Sequence, residues 1–415
     1  MFIAFVSIVL AVLSGSGAPL LGLIAALSIL VVSILMVPEE EGIVSELEAD
    51  YKRLYVGEVL HTVIRVRNTG AKRAFISYNL EIPSGFEVKA GNPYGRVSIP
   101  PGSVFEEVLE VRCSVRGHMS LGPLYIEYGD PLGIYTKRVV AAHQMVISVL
   151  PKYMEPSTVE IRSMYTGAWP GSVRSRMKGR SLEFYSVREY CPGDEVRRIN
   201  WRATGKHGRL MVNEYEDERV TDSVVIVDIN GYSYETSYEV EVVESVISGA
   251  ATVAAALLRQ GNRVGMIIMG GKRIWIMPGF GKKHLLRILH GLAEAVPGKE
   301  LDLSHVIALL VPFMLRRGTQ VFIVSGLMDD TLPNAVEGLL SEGFSVVVVG
   351  VLKSFETNDD AWRAVSKLLE VEKMITVSEV RRLCPVVIWD GKARLPLAIS
   401  KTLKTVRGVK IAPKR

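Results

Sequence analysis

The chain has 415 residues and a formal net charge of +5, a mild excess that permits an acidic partner or an anionic membrane surface and requires neither. Its length allows two or three domains. Its three scattered cysteines, Cys113, Cys191 and Cys384, exclude a disulfide scaffold and a cysteine zinc site and suit a reducing compartment.

No charged side chain precedes Glu39. Two apolar runs, Met1–Leu13 and Leu20–Val37, flank "SGSGAP". A bilayer span needs about 20 apolar residues, with a floor near 17. The second run is long enough; the first is short unless it tilts or thins the bilayer. A secretory signal carries a basic leader, whereas the first basic residue here is Lys52. The expectation is a transmembrane helical hairpin over residues 1–37, holding the chain in the lipid bilayer of the cell membrane. One span plus a re-entrant or interfacial stub is the alternative. The turn has no Lys or Arg and "PEEE" follows the second run, so the positive-inside rule has little to act on. Free thiols and the lack of an N-x-S/T sequon point to a cytoplasmic body.

Residues 45–150 read as an all-β, immunoglobulin-like sandwich. "HTVIRVRNTG" alternates, with Ile64 and Val66 on one face and Arg65 and Arg67 on the other. In "VLEVRCSV" the inward set is Leu109, Val111, Cys113 and Val115. Turn signals recur at short intervals ("NTG", "PSG", "GNPYG", "PPGS", "GDPLG"), as short antiparallel strands require. His61, His118 and His143 stand alone and read as surface or pocket-edge residues.

From residue 223 to the end, buried strands alternate with amphipathic helices. "SVVIVDI", "RVGMIIMG", "QVFIVSG", "SVVVVG" and "PVVIWD" are continuous apolar runs. One helical stripe is Val242, Val246, Ala250, Val253 and Leu257; a second is Leu285, Ile288, Leu289, Leu292 and Val296; a third is Val306, Leu309, Leu310 and Phe313. This pattern predicts a mostly parallel sheet covered on both faces. "MGGK" at Met269–Lys272 lacks phosphate-loop spacing and reads as a strand-to-strand turn. The basic C-terminal stretch "KTLKTVRGVKIAPKR" reads as a solvated tail.

The connection between these domains, residues 151–222, carries the densest chemistry. Ten basic and four acidic residues lie between Arg174 and Arg209. "LEFYSVREY" predicts a strand, "CPGD" a turn, "EVRRINWRATGKHG" one or two helical turns, and "RLMVNEYEDER" a returning strand. Arg188 and Glu189 would point to opposite sides of their strand and seek different partners. Asp194 would cap the helix opened by "EVRR". Arg198, Trp201 and Arg202, at i, i+3 and i+4, would share a helical face, with guanidinium forks gripping carboxylates and stacking on the indole. Four roles stay open at this point: a structural ionic lattice, a docking surface for a protein, a nucleic-acid site, and thiol chemistry at Cys191. The last needs a positioned base and an oxyanion hole, and only His207 is near in sequence. Nucleic acid is not the expected partner, because acids and aromatics are threaded through the basic residues.

That stretch resembles the signature of the DUF (domain of unknown function) 58 family: Glu183–Phe184, Arg188–Glu189–Tyr190, Pro192–Gly193–Asp194, Arg198 to Trp201 with Arg202, and Asn213 to Glu218. "RGHMSLGPLYIEYGDPLGIY" is similar to that family's β-domain segment. The resemblance implies a von Willebrand A-like, Rossmann-like C-terminal domain and an N-terminal membrane hairpin. It also implies a MoxR-type AAA+ ATPase as partner, often beside a transglutaminase-like membrane protein, and no established chemistry. The von Willebrand A fold often holds a magnesium ion at the end of its first strand, which here would fall to Asp228 and Asn230. Tyr232 replaces a small hydroxyl in that pattern and Ser325 replaces an acid, so no cofactor is expected. The reading overall is a membrane-anchored, non-catalytic interaction or scaffold protein, with a metal-assisted enzyme centred on Asp228 as the competing reading.

Overall fold

The computed structural model describes residues 18–36, 42–50, 53–130, 133–155, 184–215, 222–298, 303–305, 307, 315, 319–353, 360–391, 395 and 398–399. Contacts divide the chain into two units: Met1–Lys152 with Leu289–Ala295, and Tyr153–Ile288 with Val296–Arg415.

The first unit opens with helix α1, Ala18–Met36, which is 19 residues long. At 1.5 Å per residue it reaches about 28 Å, close to the hydrocarbon thickness of a bilayer. Leu21, Ile24, Leu27, Ile29, Leu30, Val31, Val32 and Leu35 are all exposed. This helix is the second predicted apolar run. The first, Met1–Leu13, lies outside the described residues, so the two-helix hairpin reduces to one N-terminal apolar helix. At its far end α1 is held to the β-structure. The buried Ser33 hydroxyl donates to Asp130 Oδ2 at 2.7 Å, and Lys72 Nζ donates to the Leu35 carbonyl at 2.8 Å. Asp130 opens the turn "DPLG", and its Oδ1 accepts from the Tyr135 amide.

Eleven strands follow: β1 (Ile43–Ala49), β2 (Arg53–Tyr55), β3 (Val59–Asn68), β4 (Ala74–Leu80), β5 (Phe86–Ala90), β6 (Tyr94–Ile99), β7 (Val104–Cys113), β8 (Gly117–Leu121), β9 (Leu124–Gly129), β10 (Thr136–Ala142) and β11 (Met145–Leu150). They form two four-stranded sheets, β1-β3-β7-β5 and β10-β9-β4-β6, and a three-stranded sheet, β2-β11-β8. The predicted alternation holds in β3 and β7. Ile64, Val66, Leu109, Val111 and Cys113 are fully buried. Val115 is not; it falls beyond the end of β7 and is exposed. On the outer face Arg65 lies between Glu46, Glu48 and Glu106 of the two flanking strands.

The second unit holds the hairpin β12 (Phe184–Glu189) and β13 (Met211–Tyr215), with helix α2 (Trp201–His207) in the connection between them. It then builds a six-stranded sheet. In chain order the elements are β14 (Asp222–Asp228), helix α3 (Ser237–Arg259), β15 (Arg263–Met269), β16 (Ile274–Gly279), helix α4 (Gly281–Ala293), β17 (Gln320–Ser325), helix α5 (Leu332–Ser341), β18 (Ser345–Val351), helix α6 (Asp360–Leu383) and β19 (Val386–Trp389). The spatial order is β16-β15-β14-β17-β18-β19, parallel throughout except for the antiparallel edge strand β16. The "MGGK" segment is indeed the turn from β15 to β16.

α3 starts with a capping box: the Thr236 hydroxyl accepts from the Glu239 amide and the Glu239 carboxylate accepts from the Thr236 amide. Its predicted stripe, Val242 to Leu257, is buried. α3 is long and apolar enough to cross a membrane by length and composition, yet 78% of its apolar window is inside the protein. It is the core helix of the α/β layer. Val296 departs from the predicted stripe: α4 ends at Ala293, and Val296 is exposed. The stripe Val306, Leu309, Leu310 and Phe313 and the basic C-terminal tail lie outside the described residues.

Candidate functional site

Two places in the second unit gather the predicted site residues. The first is the β12–β13 connection. On β12 the alternation sends Arg188 and Glu189 to opposite faces, as expected from the sequence. Arg188 donates from Nη1 and Nη2 to the two oxygens of Asp194, at 2.8 and 2.7 Å, and from Nε to Glu214 Oε1 at 2.8 Å. Glu189 accepts from Arg209 at 2.6 Å. The Arg188 guanidinium and the Cys191 amide hold the Asp194 carboxyl down to about 2, while Asp194 and Glu214 raise the guanidinium further.

Asp194 is therefore a clamp for the Pro192–Gly193 turn, not a helix cap. The 3₁₀ turn Val196–Arg198 is entered from Glu195 with no side-chain cap. That turn stops at Arg198, and Ile199 and Asn200 are extended before α2 begins. Arg198 and Trp201 consequently do not share a continuous helical face. Arg198 pairs instead with Glu195 at 3.3 Å. Asn200 caps α2 by accepting from the Ala203 amide, and Gly208 closes it in the left-handed region at φ 65°. Asn200 also donates to Asn213 Oδ1, and the Thr204 hydroxyl accepts from the Met211 amide. These bonds fix α2 against β13.

Trp201 is left in the open at 68% exposure, with Val196 at 66% and Leu210 at 45%. No guanidinium stacks on the Trp201 indole among the described residues, contrary to the sequence expectation. Arg202 is exposed beside it. Cys191 is an exposed free thiol.

The second place is the carboxyl end of the parallel strands, where ligands of open α/β sheets bind. Asp228 ends β14 and is 1% exposed. Its Oδ2 accepts from the Ser325 hydroxyl at 2.6 Å and its Oδ1 from the Asn230 amide at 3.1 Å. Ser325 Oγ in turn accepts from the Leu327 amide. Burial pushes the Asp228 carboxyl up to about 7; the Ser325 hydrogen bond opposes this and the nearby Asp329 adds to it. Tyr232 is buried and donates to the Gly326 carbonyl at 2.8 Å. Lys373 of α6, 1% exposed, reaches the hydroxyls of Tyr238 at 3.1 Å and Tyr232 at 3.4 Å. Burial lowers its ammonium to about 8. Two non-glycine residues in the flanking loops, Tyr234 and Leu327, have φ of 64° and 63°, a conformation that costs energy unless its surroundings enforce it.

The donor set does not fit magnesium, which takes several oxygen ligands at octahedral positions. Both Asp228 oxygens already accept internal hydrogen bonds, an acid is missing at Ser325, and the phenol of Tyr232 turns to a backbone carbonyl. Lys373 was absent from the sequence expectations; a lone lysine in an amphipathic helix gives no signal until the helix is placed.

The arrangement is that of a β-sandwich protein with a parallel α/β unit and a tightly braced hairpin on the same chain. Residues 186–359 match the family model described as "Protein of unknown function DUF58". The chain is similar to Uncharacterized protein YeaD of Bacillus subtilis (strain 168), 25% identical over 181 residues, covering 43% of each chain. It is also similar to Uncharacterized protein Rv1480 of Mycobacterium tuberculosis, 26% identical over 167 residues, covering 39% of this chain and 53% of that one. The chain thus spans about half the length of the curated relatives it matches. Among solved structures, proximal thread matrix protein 1 from the mussel byssus aligns with a TM-score of 0.32 at 11% identity, over 45% of this chain and 47% of that one.

Proposed function

We propose that the protein is a membrane-anchored interaction protein whose α/β unit engages a MoxR-type AAA+ ATPase during assembly or maturation of a membrane or envelope complex. In this reading the apolar helix α1, Ala18–Met36, enters the bilayer of the cell membrane, the bodies lie on the cytoplasmic side, and a transglutaminase-like membrane protein is a further candidate neighbour. The sheet order, with a single antiparallel edge strand, supports a von Willebrand A-like assignment for the second unit.

The observation that carries the reading is Trp201. A large indole left outside while the polar groups around it are braced by hydrogen bonds is the composition of an interface anchor. The braces Arg188, Glu189 and Asp194 rigidify; Trp201 and Arg202 are free to be covered.

Co-purification of the full chain with its cognate ATPase from detergent-solubilised membranes tests this. Trp201→Ala and Arg202→Ala should lose the ATPase while the thermal midpoint stays put. Retention of the ATPase by both variants, or release of the full chain from membranes by alkaline carbonate, would refute the reading. The competing reading, a metal-assisted enzyme at Asp228, requires saturable magnesium binding that disappears in Asp228→Ala.

A further inference from the structure

Within the described hairpin, residues 184–215, there are six basic residues (Arg188, Arg197, Arg198, Arg202, Lys206 and Arg209) and four acidic ones (Glu189, Asp194, Glu195 and Glu214). The structure shows how they are spent. Asp194 and Glu214 both go to Arg188, Glu189 goes to Arg209, and Glu195 goes to Arg198. Every acid is taken by the framework. Arg197, Arg202 and Lys206 remain with no carboxylate among the described residues, and all three are exposed. Arg202 and Lys206 stand one turn apart on α2. The exposed Trp201 and Val196 lie in the same two short segments, directly beside Arg202 and Arg197.

We infer that this patch binds an acidic segment of a partner protein, seating an apolar side chain of that segment against Trp201 while two or three of its carboxylates meet Arg197, Arg202 and Lys206. The inference deepens the proposed function and rests on it: it names the chemistry of the surface that the partner must present. Charge complementarity selects the partner, because repelling a basic surface costs more than a matched pair gains. Rigidity favours a protein over a lipid surface. The clamp at Arg188, the Asn200 cap and the left-handed Gly208 preset one arrangement of α2, and a surface already held in one arrangement loses less freedom when it docks a partner of matching shape. Nucleic acid is the weaker match, since binding through phosphates draws on about six to ten cations where three are free.

The test replaces Trp201 with a photo-crosslinking phenylalanine in the full chain, in its native membrane, and sequences the cross-linked segment. The expected result is a protein segment whose Asp and Glu outnumber its Lys and Arg. Arg197→Glu with Lys206→Glu should cut the cross-link by about tenfold or more, the fold-change of a lost charge pair at an interface. Reversing acids to lysines in the captured segment should restore it. Arg197→Glu alone, at an exposed and unpaired site, serves as the second variant should the double variant fold poorly. Cross-links to lipid or nucleic acid, a segment without acidic excess, or indifference to charge reversal would overturn the inference. In that last case an ATPase that still co-purifies leaves the interaction reading standing; loss of all protein cross-links removes both.

Discussion

Replacing Asp228 by Asn should remove the pH dependence that this carboxyl gives the α/β unit between about pH 4 and pH 8. The carboxyl is raised by burial to about 7, against 3.8 in the unfolded chain. Between those values the folded protein keeps a proton that the unfolded chain has released. The stability this contributes is complete below about pH 4 and is lost as pH rises through 7. The interval is about three pH units, and at 1.36 kcal/mol per unit the wild type should lose about 4 kcal/mol between pH 4 and pH 8 through this one group. The Asn side chain has the same shape, still accepts from the Asn230 amide, and carries no proton to lose. Asp228→Asn should therefore match the wild type near pH 4.5 and exceed it near pH 8. Urea unfolding of the full chain in detergent, followed at Trp389, which is buried in the same unit, reads the difference. A wild type that gains stability across this interval, or that tracks the variant in parallel, would refute the argument. The first outcome would mean a carboxylate held ionised by a cation, and adding magnesium would then raise the midpoint.

Lys373→Met should stabilise the same unit at pH 7 by about 1–3 kcal/mol, since the native ammonium is desolvated down to about 8 and, among the described residues, meets only the phenol hydroxyls of Tyr238 and Tyr232. A lowered lysine makes the wild type gain stability as pH rises from about 8 to 10.5, so urea midpoints of the two forms should converge there. Arg188→Lys should speed hydrogen exchange at the Cys191 and Tyr190 amides although the charge is kept, because an ammonium cannot replace a fork that reaches Asp194 with two nitrogens and Glu214 with a third. Gly249→Ala in α3 would put a methyl 2.9 Å from the Trp389 ring, and thermal melts should show a loss of about 1–3 kcal/mol from overpacking. Ser33→Ala should remove the hydroxyl that donates to Asp130 Oδ2 at 2.7 Å and lower the β-unit's midpoint by the equivalent of about 1 kcal/mol.

Periodicity made the strands of both units legible. β3, β7, β14, β15, β17, β18 and β19 all lie where alternation or continuous apolar runs put them, because a pleated strand writes its burial directly into consecutive residues. Ends were less legible. Val115 and Val296 fit their stripes by spacing, yet both fall past the last residue of their element, Cys113 in β7 and Ala293 in α4, and are exposed. In the hairpin, the opposite orientation of Arg188 and Glu189 was readable, since it follows from the strand period alone. The fate of Asp194 was not. A capping position and a clamp on a distant guanidinium use the same carboxylate, and only the extended backbone at Ile199 and Asn200 decides between them. The partition of the basic residues into paired and free sets was likewise invisible, because it depends on which acids face them across the hairpin. Lys373 needed the placement of α6 beside Tyr232 and Tyr238.

The hydrogen bond between Ser33 and Asp130 gives the N-terminal helix a fixed azimuth. Successive residues of an α-helix step by about 100°, so a twist of α1 by a single residue would swing the hydroxyl away from its carboxylate. A peptide leash would let the sandwich swivel freely; this joint does not. Torque on α1 passes into the Asp130 turn and from there into β9 and β10, which that turn connects.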